Sequence, residues 1–399
     1  MKLALGVASE TIISDYTYGM EISIIIDFLF LLGAVFYLLI HFGLIAGLKR
    51  LDDSNGNERP FVSIIVAARN EEKNIFQLLQ CLVLQTYTHC EIIIVNDRST
   101  DTTARLISDF QKKYFNITSI NITSIQNDMP AKKNALRAGI ESSKGEIVCF
   151  TDADCLPPPH WVEELVTCFG PDVGLVAGYS PYQIPGGNSS TPGLFYKIFF
   201  DFIAYEEFRA ALWSAGSIGW NIGWLCTGRN LAYRRKVYDE VHGFEKIKKS
   251  ISGDDDLFLQ LVRRQTDWKI HYIHTTESFV PTVPPMNFWS FVEQRKRHFS
   301  AAKFFTVPMM LFFFLYHSSN LLLLISPLFF LMDIVSLPVM TTAVCLKLLA
   351  DTILFKYSNR IFAMYNFHRS FILMEALYIF YNSLIGPLGF FRKFAWKQS

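Results

Sequence analysis

Apolar residues gather at the two ends of the chain, and polar and charged ones in its middle. Residues 22–48, ISIIIDFLFLLGAVFYLLIHFGLIAGL, form an apolar run. As a helix it is long enough to cross a hydrocarbon core of about 30 Å. Asp27 is the only carboxylate in the run and lies near one end. The run is too long for a cleavable signal peptide, and no small-residue cleavage pattern follows it. Beyond about residue 303, the stretches 308–332, 336–355 and 371–390 are each long enough to span. Between these ends the pattern is that of an α/β domain. FVSIIVA (61–67), EIIIVND (91–97), EIVCFTDAD (146–154) and VGLVAGYS (173–180) read as buried strands. EEKNIFQLLQCLVLQ (71–85) sets Ile75, Leu78, Leu79, Leu82 and Val83 at helical spacing, and Ser99 to Asp101 open another helix with capping residues. Strands alternating with helices predict a doubly wound, mostly parallel sheet, here flanked by transmembrane α-helices. The predicted units are 1–50 with one membrane helix, 51–303 as the α/β domain ending in an interfacial amphipathic helix, and 304–399 as C-terminal membrane helices.

Charge and cysteine usage narrow the reading. The formal net charge is +1, so no strong field points to nucleic acid, and no nucleic-acid partner is expected. Seven cysteines, an odd count, contain no Cys-x-x-Cys, which fits a reducing compartment better than a disulfide framework or a zinc site. Lys49, Arg50 and Arg59 follow the first apolar run, so the positive-inside rule places the α/β domain in the cytosol, with a bacterial inner (plasma) membrane as the expected location. The sequons at Asn116, Asn121 and Asn188 are then chance matches. Four spans would put Arg392, Lys393 and Lys397 outside, against the same rule. One apolar segment is therefore expected to be interfacial or re-entrant.

In an open α/β sheet, ligands bind beyond the carboxyl ends of the strands. Three predicted strands end in acid or amide groups: Ala67-Ala68-Arg69-Asn70-Glu71-Glu72, Asn96-Asp97-Arg98-Ser99-Thr100-Asp101 and Thr151-Asp152-Ala153-Asp154. Asp152 and Asp154 are two apart at a strand end and can share a hard cation such as Mg²⁺ or Mn²⁺ with phosphate oxygens. A solvated turn gives the same letters, but the buried strand before it favours a site. Asp254-Asp255-Asp256 precedes an apolar helical run. A helix N-terminus accounts for such acids, and so does a general base for a hydroxyl whose pKa is raised by like charge. Gln294-Arg295-Lys296-Arg297-His298 fits a basic helix on a lipid surface and also an arginine facing a departing diphosphate. Lys132 in MPAKKNALRAGI and Gly228-Arg229-Asn230 in CTGRNLAYRR carry little weight alone.

Taken together these residues resemble the family 2 inverting glycosyltransferases, the group that includes cellulose, chitin and hyaluronan synthases, over about residues 60 to 300. The resemblance implies a GT-A fold. VSIIVAARNEEKNI looks like the family's VSVIIPARNEE opening, which implies that Ala67, Arg69 and Glu71 hold the nucleobase. IIIVNDRSTDTT is similar to VVDDGSTDGT, putting Asp97 on the base. AKKNALRAGI looks like GKAGALNAG, which matches Lys132 to a lysine near the donor. TDADC stands where the family has DxD, with Asp152 on the nucleotide side and Asp154 on the metal. SGDDDLFLQL looks like the ED-x-x-L motif, whose carboxylate falls on Asp254, or on Asp255 if the register slips, because Gly253 replaces the usual acid. QRKRH matches QxxRW at Gln294 and Arg297, with His298 in place of Trp.

The implied activity is metal-dependent transfer, with inversion, from a nucleotide sugar, expected to be a UDP-sugar. The implied acceptor is a lipid-linked group or a glycan beside membrane lipids, in cell-surface glycan biosynthesis. WSAGSIGWNIGW (213–224) and IPGGNSSTPG (184–193) read as loops, with acceptor entry as one role. A processive polysaccharide synthase ranks lower, since the spans are few and the Trp is missing. A transporter with a nucleotide-sensing domain would be supported by charges inside the spans, and a non-catalytic scaffold is argued against by the intact Asp97, Asp154 and Asp254. Asp27, Asp333, Lys347, Asp351 and Glu375 are present, but most are expected near span ends.

Overall fold

The structure is a computed structural model that describes residues 2–51, 56, 58–124, 129–184, 193–362 and 370–391. The chain begins with one long helix, α1 (Lys2–Leu48). The α/β domain follows as β1 (Val62–Ala68), α2 (Ile75–Val83), β2 (Cys90–Asp97), α3 (Thr103–Lys113), β3 (Ile117–Ile122), α4 (Ala131–Ser142), β4 (Ile147–Phe150), α5 (Trp161–Thr167) and β5 (Val173–Gly178). It continues with α6 (Leu194–Ile218), β6 (Leu231–Arg234), α7 (Arg235–Glu240), α8 (Asp256–Gln265), β7 (Lys269–Ile273) and α9 (Phe288–Phe299). The chain then returns to apolar helices, α10 (Val307–Leu331), α11 (Leu337–Ile361) and α12 (Phe371–Leu384).

The seven strands lie in the order β3-β2-β1-β4-β6-β5-β7. All pairs are parallel except those made by β6, which runs antiparallel to β4 and β5. Every residue of β1 is buried, because helices cover both faces of the sheet. The period of two then divides the core. Ile64, Val66, Ile92, Ile94 and Cys149 pack with α2 and α5 on one face. Ile65, Ala67, Ile93, Val95 and Phe150 belong to the other core, which runs without a break into Phe208 and Trp213 of α6 and Tyr37 and Tyr316 of the apolar helices. This face of the sheet and the helix bundle therefore share one hydrophobic core, and α6 lies between them.

The stretch 213–224 corrects the expectation of a loop. Residues up to Ile218 complete α6, and Trp213 is buried against Tyr316 with ring centroids 4.7 Å apart. Glycines make this packing possible: a Cβ on Gly47 of α1 or on Gly219 would fall inside the backbone of the other segment. Of the stretch 184–193, residues 185–192 and the Asn188 sequon lie outside the described residues, as do Arg392, Lys393 and Lys397.

Among the described residues, four helices are long and apolar enough to cross a membrane: Ser23–Leu48, Val307–Leu331, Leu337–Ile361 and Phe371–Phe390. The last has both ends on the side of the α/β domain. Its first residue, Phe371, packs on Phe355 (4.6 Å), which touches Phe208 of α6 (6.1 Å). Its far end becomes a 3-10 turn, Pro387–Phe390, whose Gly389 lies against Phe299 of α9. α12 itself has 14 residues, about 21 Å at the α-helical rise. It lies under α6 and α9, which leaves α1, α10 and α11 as the candidate crossings by length and course.

Of the charges in the apolar segments, Asp27, Asp333 and Glu375 lie within about a turn of a span end, while Lys347 and Asp351 are in the middle of α11; Lys347, Asp351 and Glu375 are buried inside the bundle. Lys347 pairs with Asp351 at 2.6 Å, and Asp351 also accepts from the Tyr37 hydroxyl at 2.5 Å. Glu375 pairs with Arg209 of α6 at 2.8 Å. Paired internal charges tie helices together. Asp27 accepts from the backbone N–H of Ser336 at 3.0 Å, at the head of α11.

Candidate active site

β1 and β2 end side by side, with Ala68 opposite Asn96, and β4 ends three residues lower on the other flank of β1, with Phe150 opposite Ile65. Their loops open on one rim. β1 lies between β2 and β4, so the chain turns to opposite sides of β1, and the crevice at this switch point is where ligands bind in open α/β sheets. The first two loops are tied together: Asn70 N–H donates to Ser99 Oγ (3.0 Å), and Thr100 N–H to Asn70 Oδ1 (2.9 Å). These bonds hold Asn70 and Arg98 at φ 52° and 53°, a conformation non-glycine residues adopt at a cost. Asp97 is buried beneath them. Its oxygens accept from Arg98 Nε and Nη2 at 2.7 and 2.8 Å, and Arg69 Nη1 stands 3.7 Å away. Ala67 is buried in β1 beside Val95. Glu71 is buried at the head of α2, where Oε2 accepts from Asn74 Nδ2 at 2.8 Å.

A recess of about 280 Å³ lies below the crevice, lined by Lys132, Asp152, Gly228, Tyr233 and Asp254 among others. Lys132 joins its two sides. Its Nζ is 3.0 Å from Asp152 Oδ1 and 3.1 Å from Asp254 Oδ2. Burial alone would favour the neutral amine, but Asp152, Asp254 and Asp255 more than reverse this and hold the ammonium above its ordinary pKa. Asp152 is the mirror case. Burial opposes its ionisation, yet Lys132, then Arg229 and Arg297, keep it below the usual carboxylate range.

The three consecutive aspartates do different things. Asp255 caps α8: Oδ1 accepts from Asp256 N–H at 2.8 Å and Oδ2 from Gly228 N–H at 3.0 Å. Asp256 Oδ1 accepts from Cys226 N–H at 2.8 Å. Burial, then the neighbouring acids, raise the pKa of both. Asp254 alone of the three lines the recess. Gly253 explains the departure from an acid before it: its φ is +85°, and a Cβ there would lie 2.6 Å from Leu257 Cδ1. The preceding loop is held from below by Lys133, whose ammonium donates to the carbonyls of Ile247 (3.1 Å), Ser250 (2.5 Å) and Ser252 (2.8 Å).

On α9 the basic residues separate. Arg297 is half-buried, forms no ion pair among the described residues, and its charge reaches Asp152. Gln294 Oε1 accepts from the Tyr182 hydroxyl at 3.4 Å. Arg295, which sequence reasoning passed over, is buried between Glu206 (2.5 Å) and Glu207 (3.0 Å) of α6. Glu207 also pairs with Arg229 at 2.5 Å. Burial lifts the Glu206 carboxyl to about 7, against Arg295 and with Glu207. Glu206, Glu207, Arg229 and Arg295 were not predicted as site residues. A pair of acids inside an otherwise apolar, aromatic segment was the available signal.

Asp154 is half-buried, and its carbonyl accepts from Val283 N–H at 3.1 Å and from Thr282 Oγ1 at 3.4 Å. Thus the Asp-x-Asp loop is fastened to the segment leading into α9. Among the described residues no three His, Cys, Asp or Glu side chains converge on a point. One or two aspartate oxygens suit a hard divalent ion shared with phosphates, and not a caged one.

An open α/β sheet with an acidic rim, set on helices long and apolar enough to cross a membrane, is the architecture of a GT-A-fold glycosyltransferase. Residues 63–241, a little under half of the chain, match the model for glycosyl transferase family 2. It is 29% identical over 211 residues to the probable glycosyltransferase YdaM of Bacillus subtilis, covering 52% of this chain and 48% of that protein. It is 34% identical over 134 residues to the glycosyltransferase AglE of Haloferax volcanii, covering 33% and 43%. The aligned stretches thus span less than half of these curated relatives. Among solved structures, the mannosyltransferase PcManGT from Pyrobaculum calidifontis, in complex with GDP-Man and Mn²⁺, superposes with a TM-score of 0.57 at 18% identity, over 93% of this chain and 98% of that one.

Proposed function

We propose that the protein transfers a sugar from a nucleoside-diphosphate sugar to an acceptor hydroxyl, with inversion at the anomeric carbon. The carrying observation is the Lys132 bridge between Asp152 and Asp254, which sets a donor-side and a base-side carboxylate in one recess. Asp97 and Arg69 bind the nucleobase. Lys132, Arg229 and Arg297 face the diphosphate and stabilise the charge that develops as it leaves. Asp254 accepts the proton of the attacking hydroxyl while the acceptor oxygen forms its bond to the anomeric carbon and the bond to the diphosphate breaks. A divalent ion, Mg²⁺ or Mn²⁺, held by Asp154 supplies further charge neutralisation for the leaving group. The site lies above α6 and α9, which pack on the apolar helices, and this favours a lipid-linked acceptor or a glycan held near the membrane.

The test is nucleoside diphosphate release by the full chain in detergent with native lipid extract. Its donor panel contains UDP-sugars and GDP-mannose, the latter because the fold-similar mannosyltransferase was solved with GDP-Man and Mn²⁺. Release that needs the metal and is abolished in Asp154→Ala is the expected result. Metal-independent release, or none from any donor, overturns the proposal.

A further inference from the structure

Polar groups run from the helix bundle to the donor site along one helix, α6. At the bundle end Arg209 donates to Glu375 of α12 (2.8 Å) and to the Tyr316 hydroxyl of α10 (3.2 Å). One turn away, Glu206 accepts from the Tyr381 hydroxyl of α12 at 3.2 Å and pairs with Arg295 of α9 at 2.5 Å. Glu207 bridges the same Arg295 (3.0 Å) to Arg229 (2.5 Å). Tyr182 lies between the two guanidiniums, 5.6 Å from Arg229 and 5.9 Å from Arg295. Arg229 in turn follows Gly228, which lines the recess together with Asp152 and Asp254 and whose N–H is held by Asp255.

A purely structural explanation is available, since buried ion pairs fix how helices meet. It leaves one thing unexplained. Apolar packing would dock α6 on the bundle at least as well, without desolvating two adjacent carboxylates and two guanidiniums. The acids hold arginines of which one, Arg229, is next in the chain to the recess-lining Gly228. A guanidinium that must meet charge appearing only in the transition state works best when held in place beforehand, and a misplacement of about 1 Å costs about a hundredfold in rate.

We propose that Glu206 and Glu207 are positioning residues for transfer, themselves set by Glu375 and Tyr381 of α12, so that the seating of the membrane-surface helix fixes Arg229 beside the leaving diphosphate. This rests on the glycosyltransferase reading above. It is tested on the full chain in lipid nanodiscs with Glu207→Gln, Glu375→Gln and the milder Tyr381→Phe, which removes one hydroxyl and keeps the ring packing on Phe291 and Phe299. Turnover per active site, KM for the nucleotide sugar and Tm are measured for each. The expected result is a kcat lowered about 10- to 100-fold in Glu207→Gln and Glu375→Gln and about 3- to 10-fold in Tyr381→Phe. KM stays within about threefold, and Glu207→Asp recovers part of the loss. A merely structural role lowers Tm or the folded fraction and leaves kcat per active site unchanged. If wild type turns over and Tyr381→Phe stays folded with wild-type kcat, the positioning role is refuted, whether or not the glutamine variants fold. If wild type releases nothing from any nucleotide sugar, the enzymatic reading itself falls and this inference with it.

Discussion

Asp254 and Asp255 are adjacent, similarly buried and the same residue type, yet their surroundings predict opposite responses to one substitution. In Asp254→Asn the side chain keeps its shape and loses the basic oxygen that faces the recess. Lys132 retains Asp152 at 3.0 Å as its partner, and repulsion with the neighbouring acids is relieved, so Tm should change by only a few degrees. Loss of a general base lowers turnover by about 10²- to 10⁴-fold, equivalent to roughly 3–5 kcal/mol of transition-state stabilisation. In Asp255→Asn the carbonyl oxygen still caps α8, since Asn is as good a cap as Asp. The amide nitrogen cannot accept from Gly228 N–H, now bonded at 3.0 Å, and the lost bond costs about 1–3 kcal/mol of stability. Turnover per folded molecule should stay within about tenfold of wild type. The assay is nucleoside diphosphate release per active site, with a thermal melt on the same preparations. A folded Asp255→Asn protein that is inactive, beside an active Asp254→Asn protein, would refute the assignment and slip the motif by one residue.

The two arginines of α9 should separate in the same way. Arg295→Ala leaves Glu206 buried without its cation and Glu207 with Arg229 alone, and should cost about 3–5 kcal/mol of stability, read as loss of folded protein. Arg297→Ala should leave Tm almost unchanged and reduce turnover about 10- to 100-fold; equal Tm losses in both would contradict this. Burial, with Lys132 adding to it and Asp254 and Asp255 opposing, lowers the Lys133 pKa to about 8. The unfolded chain then holds more protons than the folded one from about pH 8 to an unfolded lysine value near 10.4, so this group makes stability rise with pH across that window. Wild type should gain Tm relative to Lys133→Met between pH 8 and 10, and a constant difference would argue against a perturbed lysine. Membrane topology follows from the course of α12: a cysteine replacing Phe391 should react with an impermeant thiol reagent from the side of the α/β domain, and one replacing Asp333 from the other. Labelling of both from one side would exclude three crossings.

The sequence by itself determined the local chemistry and the class of fold. Runs such as VSIIVAA and EIIIVND can be buried on both faces only as covered parallel strands, and the apolar ends are too long for anything but membrane helices, so both features are visible one segment at a time. The acidic strand ends were legible because the chain must turn at the carboxyl edge of a parallel sheet. β3 and β7 were missed, being short and only partly apolar, as was α6, whose Trp, Gly and Ser residues look like a loop until α1 and α10 are packed against them. Tertiary structure alone decided which of several equivalent letters face the recess. Asp254 rather than Asp255 turns inward because Gly253 takes a left-handed φ and α8 needs a cap. Arg297 rather than Arg295 is without an ion pair among the described residues because α6 brings two glutamates to Arg295. Lys347, Asp351 and Glu375 are interior because their partners, Tyr37 and Arg209, come from helices far away in sequence. Such outcomes depend on which side chains meet across elements, and a charge has no preferred side of a helix until another element supplies its partner.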